Sequence, residues 1–240
     1  MKSSDLEKVV AERAAKRAFA LVTNLKSGEQ AVFYDKQNIN DFPFGSEIGL
    51  AAAGALEADE SGIAEAGGGR FFIQVHNPPL RLLIVGAVHI AQALAPMAAL
   101  TGYGVTVIDP RRAFATDSRF PDMAKSSDWP DEAMAELKPD RRTAVVTLTH
   151  DPKLDDPALE AALRSEAFYI GALGSRKTHA SRLARLKAVG FDDAALARIH
   201  GPVGLSINAE SPAEIAVSIM AQITAVRRQQ PEAGCRDRAA

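Results

Sequence analysis

The chain has almost no cysteine: one in 240 residues, Cys235, in the closing stretch "QQPEAGCRDRAA". An internal disulfide and a multi-cysteine metal site are thereby excluded, and Cys235 reads as an inert tail residue. Charge of one sign is also missing. Twenty-eight basic and 30 acidic residues leave a formal net charge of -2. That balance gives no electrostatic footprint for nucleic acid or an anionic membrane. No stretch approaches the roughly 18 uninterrupted apolar residues of a membrane span. The first residues, "MKSSDLEKVVAERAAKRA", lack the apolar centre of a signal peptide. The expectation is a soluble, cytoplasmic protein whose partners are neither nucleic acid nor membrane.

What is present divides at "NPP", residues 77–79, where two prolines stiffen the chain. Before it, residues 5–19 read as a helix with Leu6, Val9, Val10, Ala14 and Ala18 near one face. "AFALVTNLKSGEQAVFYD" reads as a hairpin around Lys-Ser-Gly, "GSEIGLAAAGALEAD" as a helix and "RFFIQVHN" as a strand. After it, short apolar runs alternate with helical sequence: "RLLIVG", a helix over 89–101, "YGVTVID", "TAVVTLTH" and "AFYIGALG". That rhythm predicts βαβ units and a parallel sheet with helices on both faces. The expected fold is α/β: a small α+β unit over 1–78, a Rossmann-like unit over 79–228, and a flexible tail over 229–240.

Right-handed crossovers put all the carboxyl strand ends on one edge, where such sheets bind ligands. The edge should carry Gly86, Asp109, His150–Asp151, Gly171–Thr178 and the "HGPVG" loop at 200–204. "LIVGAVHIAQAL" places Gly86 and Ala91 on the first and third positions of the dinucleotide fingerprint, with Val88 at the middle glycine. A β-branched residue there obstructs the approach of a pyrophosphate, although the free N–H groups at Ala87, Val88 and His89 can still hold an anion. Asp109 follows Gly86 by 23 residues, near the offset of the acid that binds a ribose hydroxyl. It reads equally as a turn cap, with Arg111 and Arg112 free for a phosphate or for water. His89 at the mouth of the first helix reads as a donor to a ligand, a proton-transfer group or a hydrogen-bonded histidine without a ligand. His150 and Asp151 read as a catalytic couple, or as a strand end with Asp151 or Asp155 capping the next helix.

"GALGSRKTH", from Gly171, meets a P-loop at Gly171, Lys177 and Thr178 but has Arg176 at the second glycine. Gly171 and Gly174 should flank a tight turn, with Ser175 as N-cap. Arg176 and Lys177 in the first turn of a helix oppose its dipole, which makes sense if an anion sits there. This stretch is read as an anion-binding turn. The helix at 210–228 carries an apolar stripe, Ile215, Ile219, Ile223 and Val226, and reads as a packing helix and an interface between protomers.

Together, "LLIVGAVHIAQALAPMAALTGYGVTVIDPRRAFATDSRFPD", "AVVTLTHDPKLDDPAL", "FYIGALGSRKTHASRLARLKAVGF" and "ARIHGPVGLSINAESPAEIAVSIMAQI" resemble the XdhC/CoxI family. The resemblance implies a molybdenum cofactor chaperone for xanthine dehydrogenase-type enzymes, with no turnover of its own. Such a protein binds molybdopterin or its dinucleotide form, supports sulfuration by a cysteine desulfurase, and passes the cofactor to the apo-molybdoenzyme. It also implies a homodimer. Carried over by motif, the binding positions are Gly86, His89, Asp109, Gly171–Thr178 and the "GPVGL" loop with Gly204. The 1–78 stretch lacks the cysteine-containing glycine motif common in the family, and Ser206 and Asn208 stand where the family has aspartate and glycine. The alternative is an NAD(P)-dependent oxidoreductase. A nucleotidyltransferase or ATPase stands third, against the broken Walker pattern.

Overall fold

The computed structural model describes residues 3–34 and 38–228. The expected tail at 229–240, with Cys235, lies outside the described residues. The chain divides into two compact units, 1–78 and 79–240.

In the first unit, α1 (Ser3–Ala14) precedes strands β1 (Phe19–Asn24) and β2 (Gln30–Tyr34), then α2 (Ser46–Ala58), β3 (Gly62–Ala66) and β4 (Gly69–His76). They form an antiparallel sheet in the order β2-β1-β4-β3. Alternation along β1 sorts its side chains onto two faces. Ala20 and Val22 join Phe33, Phe71, Ile73 and the Ile48 and Leu56 of α2 in one core. Phe19 and Leu21 turn the other way, toward Val9 of α1. The first helix is shorter than the expected 5–19. Lys16 takes a left-handed φ of 51°, and Phe19 is already paired with Tyr34 and His76. Leu6 and Val10 are exposed, so only Val9 of that stripe is buried core. The sheet's demand for Phe19 outweighs local helix propensity, which is worth only a few tenths of a kcal/mol per residue.

The second unit is a six-stranded parallel sheet. Its strands are β5 (Arg81–Val85), β6 (Gly104–Ile108), β7 (Ala124–Ser126), β8 (Thr143–Thr147), β9 (Tyr169–Ala172) and β10 (Ile199–His200). Spatial order is β10-β9-β8-β5-β6-β7, so the order reverses between β5 and β8. Helices α3 (His89–Leu100), α4 (Pro130–Leu137), α5 (Pro152–Leu163), α6 (Arg176–Ala188), α7 (Asp193–Leu196) and α8 (Pro212–Arg228) make the connections and the outer layers. Because strand side chains alternate, "LLIV" feeds two cores at once. Leu82 and Ile84 pack with Ala91 and Leu94 of α3 and Ala216, Ile219 and Ile223 of α8. Leu83 and Val85 pack with Met134 of α4, Leu159 of α5 and Leu186 of α6. Each fully buried leucine or isoleucine contributes about 1.5–3 kcal/mol. The α8 stripe is therefore packing, as expected, but Ile219 and Ile223 are consumed inside this unit and are not a surface for a second protomer.

Among the described residues, no helix is long and apolar enough to cross a membrane.

Candidate binding edge of the parallel sheet

The point where the strand order reverses opens a crevice beyond the carboxyl ends of β5 and β8. The chain leaves β5 at Gly86, whose φ is +107°. Its N–H donates to the Ile108 carbonyl at 2.8 Å. A Cβ on Gly86 would stand 2.5 Å from Thr149 Cγ2 and 3.3 Å from Thr149 N. The turns after β5 and β8 thus touch, and glycine is what permits it. Val88 is the N-cap of α3, extended at φ -88° and ψ 177°, and its side chain caps nothing. The first N–H groups of α3 therefore have no intrahelical acceptor and no capping side chain. His89 is exposed at that helix start.

Asp109 is wholly buried and committed to the turn. Its Oδ2 accepts from Ala87 N and Arg111 Nη2, each at 2.8 Å. Its Oδ1 accepts from Arg111 N at 3.0 Å and Arg111 Nε at 2.9 Å. Burial alone would raise its pKa. Hydrogen bonds from the Arg111 side chain, the Ala87 N–H and the Arg111 N–H outweigh that and hold it below the ordinary carboxylate value. Of the two sequence readings, the structure gives Asp109 the role of turn organiser. The Arg111 guanidinium also lies over the Phe114 ring, 4.4 Å from its centroid.

After β8, His150 is exposed in a left-handed turn at φ 61°. Asp151 is the N-cap of α5, accepting from Lys153 N at 3.0 Å. The capping alternative is the one observed for Asp151.

After β9, the arrangement differs from the expected turn in one respect. Gly171 does not flank the turn; it lies within β9, where a Cβ would meet Val203 Cγ2 at 2.6 Å and the Tyr169 ring at 2.9 Å. Gly174 does form the turn, at φ +145°. Ser175 caps α6, its Oγ accepting from Thr178 N at 3.1 Å. Arg176 and Lys177, both exposed, open the helix, and no acid stands in its first turn. Gly204, at φ +96°, lies against Ser218 and donates its N–H to Gln222 Oε1 at 2.8 Å. The same oxygen accepts from Tyr169 OH at 2.6 Å, which fixes the "GPVGL" loop to β9 and α8. The edge thus brings together the Gly86–His89, His150–Asp151 and Gly174–Thr178 turns, while Gly171 and Gly204 serve packing.

Several residues at this edge were not singled out from the sequence. Thr149 donates its hydroxyl to Asp155 Oδ1 at 2.6 Å. Arg182, 1% exposed, donates to the Leu173 carbonyl at 2.9 Å and faces Asp155 at 3.4 Å. Its one sequence signal is position: four residues before the core-facing Leu186, it falls on the buried face of α6. Among the described residues, no group of three or more His, Cys, Asp or Glu side chains is placed to hold a metal ion.

Strand order, the crevice at its reversal and two uncapped or cation-rich helix starts define a Rossmann-type binding unit with an anion-compatible edge. Residues 82–223, more than half of the chain, match the model of the XdhC Rossmann domain, and the chain belongs to the XdhC family. A molybdenum cofactor insertion chaperone, PaoD, of Escherichia coli (strain K12) is 36% identical over 159 residues, covering 66% of this chain and 44% of that protein. A probable xanthine dehydrogenase component of Bacillus subtilis (strain 168) is 35% identical over 159 residues, covering 66% of this chain and 46% of its own. The chain thus spans less than half the length of these relatives. A crystal structure of a xanthine dehydrogenase from Bacillus halodurans shares the fold: TM-score 0.67 at 25% identity, covering 94% of this chain and 67% of that one.

Proposed function

We propose that this protein binds molybdenum cofactor as cargo, holding its phosphate-bearing end at the carboxyl edge of the parallel sheet, and hands it to a xanthine dehydrogenase-type apo-enzyme. Sulfuration of the bound cofactor by a cysteine desulfurase belongs to the same proposal. The observation that carries it is the edge itself. Two helix starts on that edge have no acid in their first turn: α3, after β5 at the reversal point, and α6, after β9 one strand farther out. The first turns of α4, α5 and α8 each carry at least one. Helix starts without acids suit an anion, and molybdopterin offers a phosphate or, in the dinucleotide form, a pyrophosphate. Family membership and the E. coli relative's name support the choice of cargo.

Two features weigh against the NAD(P) oxidoreductase. The Asp109 carboxylate already accepts four hydrogen bonds inside the protein, leaving none of it facing a ribose. Val88 stands at the pyrophosphate-facing glycine position.

The test is purification from a host rich in molybdenum cofactor, followed by fluorescence of the oxidised pterin. Wild-type protein should carry pterin, and an Arg176→Ala, Lys177→Ala double variant should carry about tenfold less or lower, for the loss of two charge-assisted contacts. Pterin-free protein from such a host, with an apo-client co-expressed and with NAD(P)H binding in titration, would sink the proposal in favour of the oxidoreductase.

A further inference from the structure

Arg182 is 1% exposed, and its partner Asp155 is equally buried. The pair is loose. Nη2 lies 3.4 Å from Asp155 Oδ2, beyond the roughly 2.7–2.9 Å of a good charge-assisted bond. The other Asp155 oxygen is taken by Thr149, through its hydroxyl at 2.6 Å and its N–H at 3.3 Å. Nη2 also donates to the Leu173 carbonyl at 2.9 Å. The remaining nitrogens, Nε and Nη1, have no hydrogen-bond partner among the described residues. A buried guanidinium with uncommitted donors is unfavourable unless an acceptor engages them, and an oxyanion does so more strongly than a neutral one.

Their position says where that partner belongs. A Cβ on Gly174 would stand 3.8 Å from Arg182 Nη1 and 3.1 Å from Thr178 Cγ2. Nη1 therefore lies on the inner side of the Gly174–Thr178 turn, and a side chain at 174 would sit over it. The same turn begins α6, a helix of 13 residues. The N–H groups of Arg176 and Lys177, in the first turn, have no intrahelical acceptor, and the Ser175 Oγ cap takes only that of Thr178. A buried, uncommitted cation and an acid-free helix start thus meet at one place.

We propose that Arg182 is the buried counter-charge of an oxyanion site at the start of α6, and that the group bound there is a phosphate or pyrophosphate. The Nη1 group, unpartnered and next to the turn, can give a charge-assisted bond to one oxygen of a phosphate, while Nη2 stays on the Leu173 carbonyl. The incoming oxygen strengthens what the 3.4 Å contact with Asp155 leaves unmet. Asp155 then competes with the ligand for Arg182, while Thr149 holds Asp155 against the Gly86 turn. The molecule carrying the phosphate rests on the cofactor reading above; the anion chemistry does not.

The experiment titrates the full chain with inorganic pyrophosphate at low salt, by calorimetry and 31P NMR. Wild type, Arg182→Met and Asp155→Asn are compared, with folding checked by circular dichroism and urea unfolding. Arg182→Met should bind at least about tenfold more weakly. Asp155→Asn, which removes the competing charge and keeps the acceptor for Thr149, should bind about threefold more tightly or better. A merely structural ion pair gives no such tightening. Failure of wild type to bind, unchanged binding in folded Arg182→Met, or unchanged or weaker binding in Asp155→Asn overturns the proposal. Should Arg182→Met not fold, Asp155→Asn decides alone. Arg182-dependent pyrophosphate binding in a protein that carries no pterin refutes the cofactor reading and leaves this one standing. Pterin retained undiminished in Arg182→Met does the reverse.

Discussion

Asp109→Ala is expected to lower the unfolding free energy of the 79–228 unit by about 3 kcal/mol, measured by urea denaturation near neutral pH. The carboxylate accepts four hydrogen bonds from within the protein. Alanine leaves the buried Ala87 N–H without its acceptor and releases Arg111 from both oxygens. The cost stays below that of breaking a fully buried pair, because the Arg111 side chain is 41% exposed and can turn to water. The same substitution alters the pH profile, with a definite sign. Asp109 is held below its ordinary value in the folded protein, so its contribution is fully present above the unfolded pKa and disappears as pH falls through the folded one. As pH falls through and below the ordinary carboxylate range, the wild type should therefore lose more stability than Asp109→Ala. Equal acid limbs for the two proteins would mean that Asp109 is not the organiser of this turn.

The parallel sheet was legible because its strands are buried on both faces. A strand such as "RLLIV" must be apolar at nearly every position, and that run survives any uncertainty in register. The turns that end these strands were legible for a related reason: Gly86 and Gly174 adopt backbone angles that other residues avoid. What the sequence hid was short or non-local. β7 is three residues long at the sheet edge, and β3 reads "GIAEA", with two exposed positions before a partly buried alanine. Neither presents an apolar run. α4 begins with Pro130 and has only Pro130, Ala133 and Met134 buried, a stripe too narrow to separate from loop sequence.

The most informative side chains of the edge were hidden for a different reason. Asp155 and Arg182 are 27 residues apart; alone, Asp155 reads as a candidate helix cap and Arg182 as an ordinary helical charge. Only the tertiary arrangement of β8, β9, α5 and α6 puts both at 1% exposure beside the crevice. Gly171 was misplaced because a glycine needed for close packing against Val203 and Tyr169 looks, in sequence, like one needed for a turn. Asp109 shows the limit of a spacing rule. Its distance from Gly86 places it at the right strand end, but the neighbouring Arg111 turns its carboxylate onto the protein.

Gly86→Ala should be about as costly as the loss of Asp109, near 3 kcal/mol, and should lower Tm by about 6–12 °C. Two effects combine. At φ +107° an alanine is strained whatever space surrounds it. Its Cβ would also meet Thr149 Cγ2 at 2.5 Å, and the two cannot both stay where they are. Thr149 is not free to retreat, since its hydroxyl is bonded to Asp155 and its backbone follows β8 directly. A double-mutant cycle separates the terms. Thr149→Ser removes the obstructing methyl and keeps the hydroxyl for Asp155. The pair Gly86→Ala, Thr149→Ser should recover about half of the loss, leaving the backbone strain. Recovery of nothing would show that strain alone decides the position and that the turns after β5 and β8 are not in mechanical contact. Recovery should also extend to ligand capture. Thr149 links the Gly86 turn to Asp155, and Asp155 faces Arg182, so a displaced Thr149 disturbs both anion-facing turns at once.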